Sequence, residues 1–77
     1  MKTVKISLNS INEVKGFVNM VSKYDCDVDL ISGRYVVDAK SIMGIFSLDL
    51  SKAIDLNIHD DENIDDILKT LEPYIVG

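Results

Sequence analysis

One cysteine, one proline, one histidine and no tryptophan occur in 77 residues. The lone Cys26 excludes an internal disulfide framework and an all-cysteine zinc centre, since both need more thiols. With one Pro and four Gly, the chain is neither collagen-like nor a low-complexity linker. No apolar run approaches the ~20 residues of a membrane span, so no membrane insertion is expected. Ser7, Asn9, Ser10 and Asn12 interrupt the apolar residues near the start. No signal-peptide core is read there, and the expected compartment is the reducing cytoplasm. Basic residues are also scarce in one half. Residues 1–40 hold six basic and five acidic groups, and residues 41–77 hold two basic and eight acidic, for a net charge of −5. Phosphate backbones are held by clustered Lys and Arg, so no nucleic-acid partner is expected. Residues 1–77 read as one domain. A chain this short buries only about 60% of its unfolded surface, which leaves little room for a deep substrate cavity. A Gly-rich phosphate loop and a Ser/His/Asp triad are both missing, so neither a cofactor nor an enzymatic activity is expected.

What is present is clear periodicity. Val4, Ile6 and Leu8 alternate with polar residues, which predicts a strand with one buried face. Ser10 to Glu13 has the spacing of a capping box, in which the serine oxygen caps a backbone N–H and Glu13 reaches back. Ile11, Val14, Phe17, Val18, Val21 and Tyr24 follow at helical spacing and predict a helix of roughly 15 residues, weakened slightly by Gly16. Cys26, Val28 and Leu30 alternate with Asp25, Asp27 and Asp29, a second strand with an acidic outer face. Ser32-Gly33 signals a hairpin into a third strand around Tyr35 to Val37. Ile42, Met43, Ile45, Phe46 and Leu48 suit a short helix, and Ile54, Leu56 and Ile58 a fourth strand. Asp60-Asp61-Glu62 opens a last helix with the stripe Ile64, Ile67, Leu68 and Leu71, ending near Glu72 ahead of Pro73. The order β-α-β-β-α-β-α, with one apolar face per strand and one stripe per helix, predicts an antiparallel sheet with all helices on one side.

Two constellations are set aside on physical grounds. Asp61, Asn63, Asp65 and Glu72 have the spacing of calcium-loop positions 1, 3, 5 and 12, but the required glycine is Asp66 and the apolar stripe demands a continuous helix. Cys26 shares the parity of Val28 and Leu30 and reads as a small buried hydrophobe rather than a nucleophile. No metal site is expected.

Two blocks carry a family likeness. Ser22-Lys23-Tyr24-Asp25 followed by Asp27-Val28 and Leu30 makes a helix-to-strand junction. Lys40-Ser41-Ile42-Met43-Gly44, continuing through Phe46-Ser47-Leu48, opens a short helix after a third strand. With the element order, these blocks resemble HPr, the histidine-containing phosphocarrier of the bacterial sugar phosphotransferase system. The resemblance implies an α+β open-faced β-sandwich whose strands are ordered first, fourth, second, third. It also implies protein partners: enzyme I, the sugar-specific components, and an HPr kinase or a regulator.

The family's signature is Gly-x-His-x-Arg-Pro where the first strand meets the first helix. Counting back from Ser22 puts its histidine on Ser10, its arginine on Asn12 and its proline on Glu13; no His or Arg precedes residue 34. A phosphorylated imidazole passes its phosphoryl group on readily, whereas a serine alkoxide is a much poorer leaving group. Asn12 supplies no guanidinium fork for an anion. His59 should sit a strand length, roughly 15–20 Å, from Ser10 and reads as a surface-loop residue. Ser41 matches the family's regulatory phosphorylation site, where a phosphate meets the free N–H groups of a helix start, with Lys40 nearby. Ile42, Met43 and Phe46 share one helical face and match the family's partner-binding surface, while Ile45 and Leu48 suit the core. The expected function is a regulatory or protein-docking member of the family that cannot relay phosphoryl through histidine. The alternative is a working phosphocarrier with an unusual acceptor.

Overall fold

Alternation at period two builds the sheet. In the computed structural model, which describes residues 2–60 and 62–76, β1 (Lys2–Ile6), β2 (Asp27–Ser32), β3 (Tyr35–Asp38) and β4 (Ile54–His59) form one antiparallel sheet in the order β1-β4-β2-β3. Ile6 lies opposite Ile54 and Lys2 opposite Ile58; on the other side of β4, Asp27 lies opposite His59 and Ile31 opposite Asp55. This register gathers Ile6, Val28, Leu30, Ile54, Leu56 and Ile58 on one face, all buried. Three helices cover that face: α1 (Ile11–Val21), α2 (Ile42–Phe46) and α3 (Ile64–Leu71). They contribute Val14, Phe17, Val21, Ile45, Ile67 and Leu71 to the same core. The opposite face, with Lys5, Asp29, Asp55 and Asn57, has no helix over it. The expected α+β open-faced sandwich is the fold of the chain.

The boundaries differ from the sequence reading where side chains hold the backbone elsewhere. Helix α1 has 11 residues and stops at Val21. Tyr24 has left it, and its hydroxyl lies 3.2 Å from Asp66 Oδ2 and 3.0 Å from Thr70 Oγ1 on α3. Strand β2 starts at Asp27 rather than Cys26, because Lys40 Nζ donates to the Tyr24 carbonyl at 2.7 Å and ties the preceding backbone away from the ladder. The last helix opens at Ile64, later than expected. Asp60 Oδ1 instead accepts from the N–H groups of Glu62 (2.8 Å) and Asn63 (3.3 Å), making a turn before the helix. Helix α3 ends at Leu71, and a 3₁₀ turn, Glu72–Tyr74, accommodates Pro73 in its first turn, where a missing N–H is harmless.

Two glycines have a structural reason. Gly33 has φ +60 at the first position of the two-residue turn joining β2 to β3, a conformation that glycine adopts without strain. At Gly16 a Cβ would come within 2.9 Å of the Tyr74 hydroxyl. The Tyr74 ring stands edge-on to Phe17, at 5.8 Å and 85°. The end of the chain is thereby docked on α1, and Ser7 N–H donates to the Tyr74 carbonyl at 2.9 Å.

The capping box at α1 forms with one change. Ser10 Oγ accepts from the Glu13 N–H at 3.1 Å, and Glu13 Oε1 accepts from the N–H of Asn9, not of Ser10, at 2.8 Å. Ser10→Ala should therefore lower stability by about 1 kcal/mol in urea unfolding. Leu56, buried on the central strand β4, should cost about 2–5 kcal/mol when truncated to Ala.

Candidate functional site

The junction of β1 with α1 lies beside the end of α2. Leu8, Ser10 and Ile11 on one side, with Phe46 and Leu50 on the other, line an open depression of about 440 Å³. It is a surface groove rather than an enclosed cavity. Ser10, which also lines it, and Asn12 are both exposed. The Ser10 side chain is engaged as the N-cap of α1, and the Glu13 carboxylate stands beside it, bound to Asn9.

At the other end of α2, Ser41 is the exposed N-cap, its Oγ accepting from the Gly44 N–H at 3.2 Å. Lys40 does not stand free beside it, since the ammonium is bound to the Tyr24 carbonyl. The face formed by Ile42, Met43 and Phe46 divides. Met43 is 76% exposed and Phe46 41%, whereas Ile42 is half-buried and packs against the core. Ile45 and Leu48 are buried, as the helical spacing predicts.

Ile11 belongs to this surface although its spacing reads as core. It is 62% exposed. The signal that identifies it is its place as the first residue of α1, directly after the cap, beyond the end of β1 and so with no strand beneath it.

His59 is the last residue of β4 rather than part of a loop, and its Nε2 lies 2.8 Å from Asp29 Oδ2 on the open face. Strand β1 pairs Lys2 with Ile58 and Ile6 with Ile54, so His59 lies at the end of the sheet away from Ser10. Cys26 is half-buried rather than buried. Burial, then the Asp60 carboxylate, pushes its thiol pKa up, so the nucleophilic thiolate is disfavoured. The Asp60 carboxyl is itself held down, first by the Glu62 N–H. Among the described residues no group of three or more His, Cys, Asp or Glu is placed to hold a metal ion. Of the calcium-loop pattern, Asp61 lies outside the described residues, and α3 runs unbroken past Asp65. No helix among the described residues is long and apolar enough to cross a membrane.

Comparison with known proteins places the chain in a family. Residues 12–75 match the family described as the PTS HPr component phosphorylation site; the match starts after Ser10. HPr-C-His from Thermoanaerobacter tengcongensis is 29% identical, with a TM-score of 0.79 over 95% of this chain and 89% of that one. The phosphocarrier protein HPr of Bacillus anthracis is 25% identical, with a TM-score of 0.71 over 97% and 94%. Crh of Bacillus subtilis, a catabolite repression protein described as a swapped, intertwined dimer, is 27% identical, with a TM-score of 0.67 over 90% and 80%. Members of this family are phosphocarriers rather than enzymes, and they work with other proteins of the phosphotransferase system. The match over residues 12–75, on a sheet and three helices laid out as in these proteins, makes this chain a member of the HPr family.

Proposed function

We propose that this chain is a regulatory or docking member of the HPr family that does not relay phosphoryl through histidine. The observation that carries the reading is the state of the β1–α1 junction. The resemblance puts the family's phosphoacceptor at Ser10, and here that position is a serine serving as a helix cap, with the Glu13 carboxylate next to it. A phosphate on Ser10 would meet like charge from Glu13 and no guanidinium from Asn12. A serine ester would also hold its phosphate rather than pass it on. The single histidine is at the other end of β4, bonded to Asp29.

Docking makes different demands, which the chain retains. Ile11 and Phe46 line an open groove and Met43 is exposed on the same short helix as Phe46, apolar surface suited to a protein partner of the phosphotransferase system. Ser41 caps the helix that carries Met43 and Phe46. Phosphorylation there would add about two negative charges next to Met43 and alter docking. A solved relative named for catabolite repression, Crh, supports a regulatory role over a relay role.

Two measurements test the reading. Incubation with phosphoenolpyruvate and enzyme I should leave the protein unphosphorylated; acid-labile phosphate on it would overturn the proposal in favour of a working carrier with an unusual acceptor. With ATP and an HPr-type kinase, intact-mass analysis should show one added phosphate, absent in Ser41→Ala. An unmodified wild-type protein would remove the switch.

A further inference from the structure

The two edges of the sheet are unlike. The outer edge of β1 is partly covered by the end of the chain, where Ile75 bridges to Ile6 and the Val76 N–H donates to the Lys5 carbonyl at 2.9 Å. Among the described residues the outer edge of β3 has no strand on it. Its backbone parity follows from the hairpin. The two-residue turn makes Ser32 and Tyr35 the closing pair, and the Ala39 N–H donates to the Val28 carbonyl at 2.9 Å. Tyr35, Val37 and Ala39 therefore face β2, and the N–H and C=O groups of Val36 point outward. Two large side chains stand exposed on this edge, Tyr35 at 70% and Val36 at 63%. Arg34 precedes them and Asp38 ends the strand, both exposed. Neither makes an ion pair among the described residues.

We propose that the β3 edge pairs antiparallel with the β3 edge of a second copy, about a two-fold axis through Val36. The strand, taken with the turn residue Arg34 before it, is self-complementary about that axis. With Val36 opposite Val36, the two outward-facing backbone groups of each copy bond across the axis. Arg34, in the turn before β3, and Asp38, which ends the strand and accepts from the Lys40 N–H, are then brought to the same end of the contact from opposite copies, so opposite charges flank an apolar centre. Ile31, paired with Val36 within each copy, widens that centre. On the other face Tyr35 lies opposite Val37 of the second copy. Shifting the register by one residue sets Arg34 opposite Ala39 and puts Val36 against Val37, whose backbone groups are already used by β2. The occupant is therefore this chain itself rather than an arbitrary strand, and the contact is isologous. Stable dimers bury roughly 1,200–2,000 Å², more than a four-residue edge provides, and each copy carries a net charge of −5. The product is a weak, reversible dimer with one continuous sheet, seen at high protein concentration.

Sedimentation velocity on the full chain, taken into the millimolar range, tests this. Wild-type protein should show a monomer–dimer equilibrium in rapid exchange. Arg34→Glu and Asp38→Lys should each weaken it by about tenfold or more, because each reversal acts at two symmetric pairs. An equimolar mixture of those two variants should recover a mixed dimer, because both cross-strand pairs again join opposite charges. Val36→Pro removes an outward donor without touching the β2 ladder and should be monomeric. Far-UV circular dichroism and a thermal melt establish that each variant is folded. A wild-type protein that stays monomeric throughout overturns the proposal. So does a dimer that survives Arg34→Glu and Val36→Pro, which would point to exchange of β1 or association through the helical side.

Discussion

Strand β4 is the constraint on which the rest depends. It is the late-arriving strand in sequence, yet it is hydrogen-bonded on both sides, to β1 and to β2. Its side chains at Ile54, Leu56 and Ile58 all point into the core. Its pairs with β1 join residues 48 to 56 positions apart and its pairs with β2 residues 24 to 32 apart, so the local hairpin β2–β3 gains a partner for its inner edge only when β4 inserts. The helices have no other apolar surface to cover. Their buried residues, Phe17 and Ile67 among them, meet the face that β4 completes.

The same insertion sets the polarity of the molecule. Because β4 runs antiparallel to β1, its first residue lies beside the end of β1 and its last beside the start. Ser10 and the groove toward Phe46 therefore occupy one end of the sheet, and His59 with Asp29 the other. A titratable imidazole is present in the protein, but chain topology keeps it from the helix start that the family uses. Topology likewise leaves β3 as the outermost strand, covered on its inner edge alone.

Most of this architecture was legible in the residues, because period two and period 3.6 are direct imprints of which side of an element meets the core. The errors came where one long-range polar contact outweighed a local pattern. Tyr24 continues the spacing of α1, but its hydroxyl finds Asp66 and Thr70 on a helix forty residues away. Cys26 has strand parity, but Lys40 holds the backbone before it. Ile11 shows the limit of periodicity at the candidate site. An apolar residue in the stripe is buried only if the sheet extends beneath it, and the length of β1 is not written in α1. Ile42 shows the converse, a residue of the expected docking face that α2 rolls half into the core. Ser10 and Ser41 could be read as helix caps, and Met43 and Phe46 as residues of one short helix, because caps and short helices are local.

The cap at Ser10 also bears on why relay and stability compete at this spot. A phosphoryl group at a helix start is held by unpaired backbone N–H groups. Those donors are the ones a capping box consumes. Here the Glu13 N–H is taken by Ser10 Oγ, and the Asn9 N–H by the Glu13 carboxylate. A side chain that is to accept phosphate must leave such donors free and so forgo about 1 kcal/mol of helix stability. An imidazole there makes that sacrifice; a serine with a glutamate three residues on does the opposite. On the proposed reading, a cap in place of a nucleophile would remove the acceptor, its leaving-group chemistry and its anion-binding donors in one step. It leaves the apolar groove intact, because Ile11 and Phe46 depend on none of them.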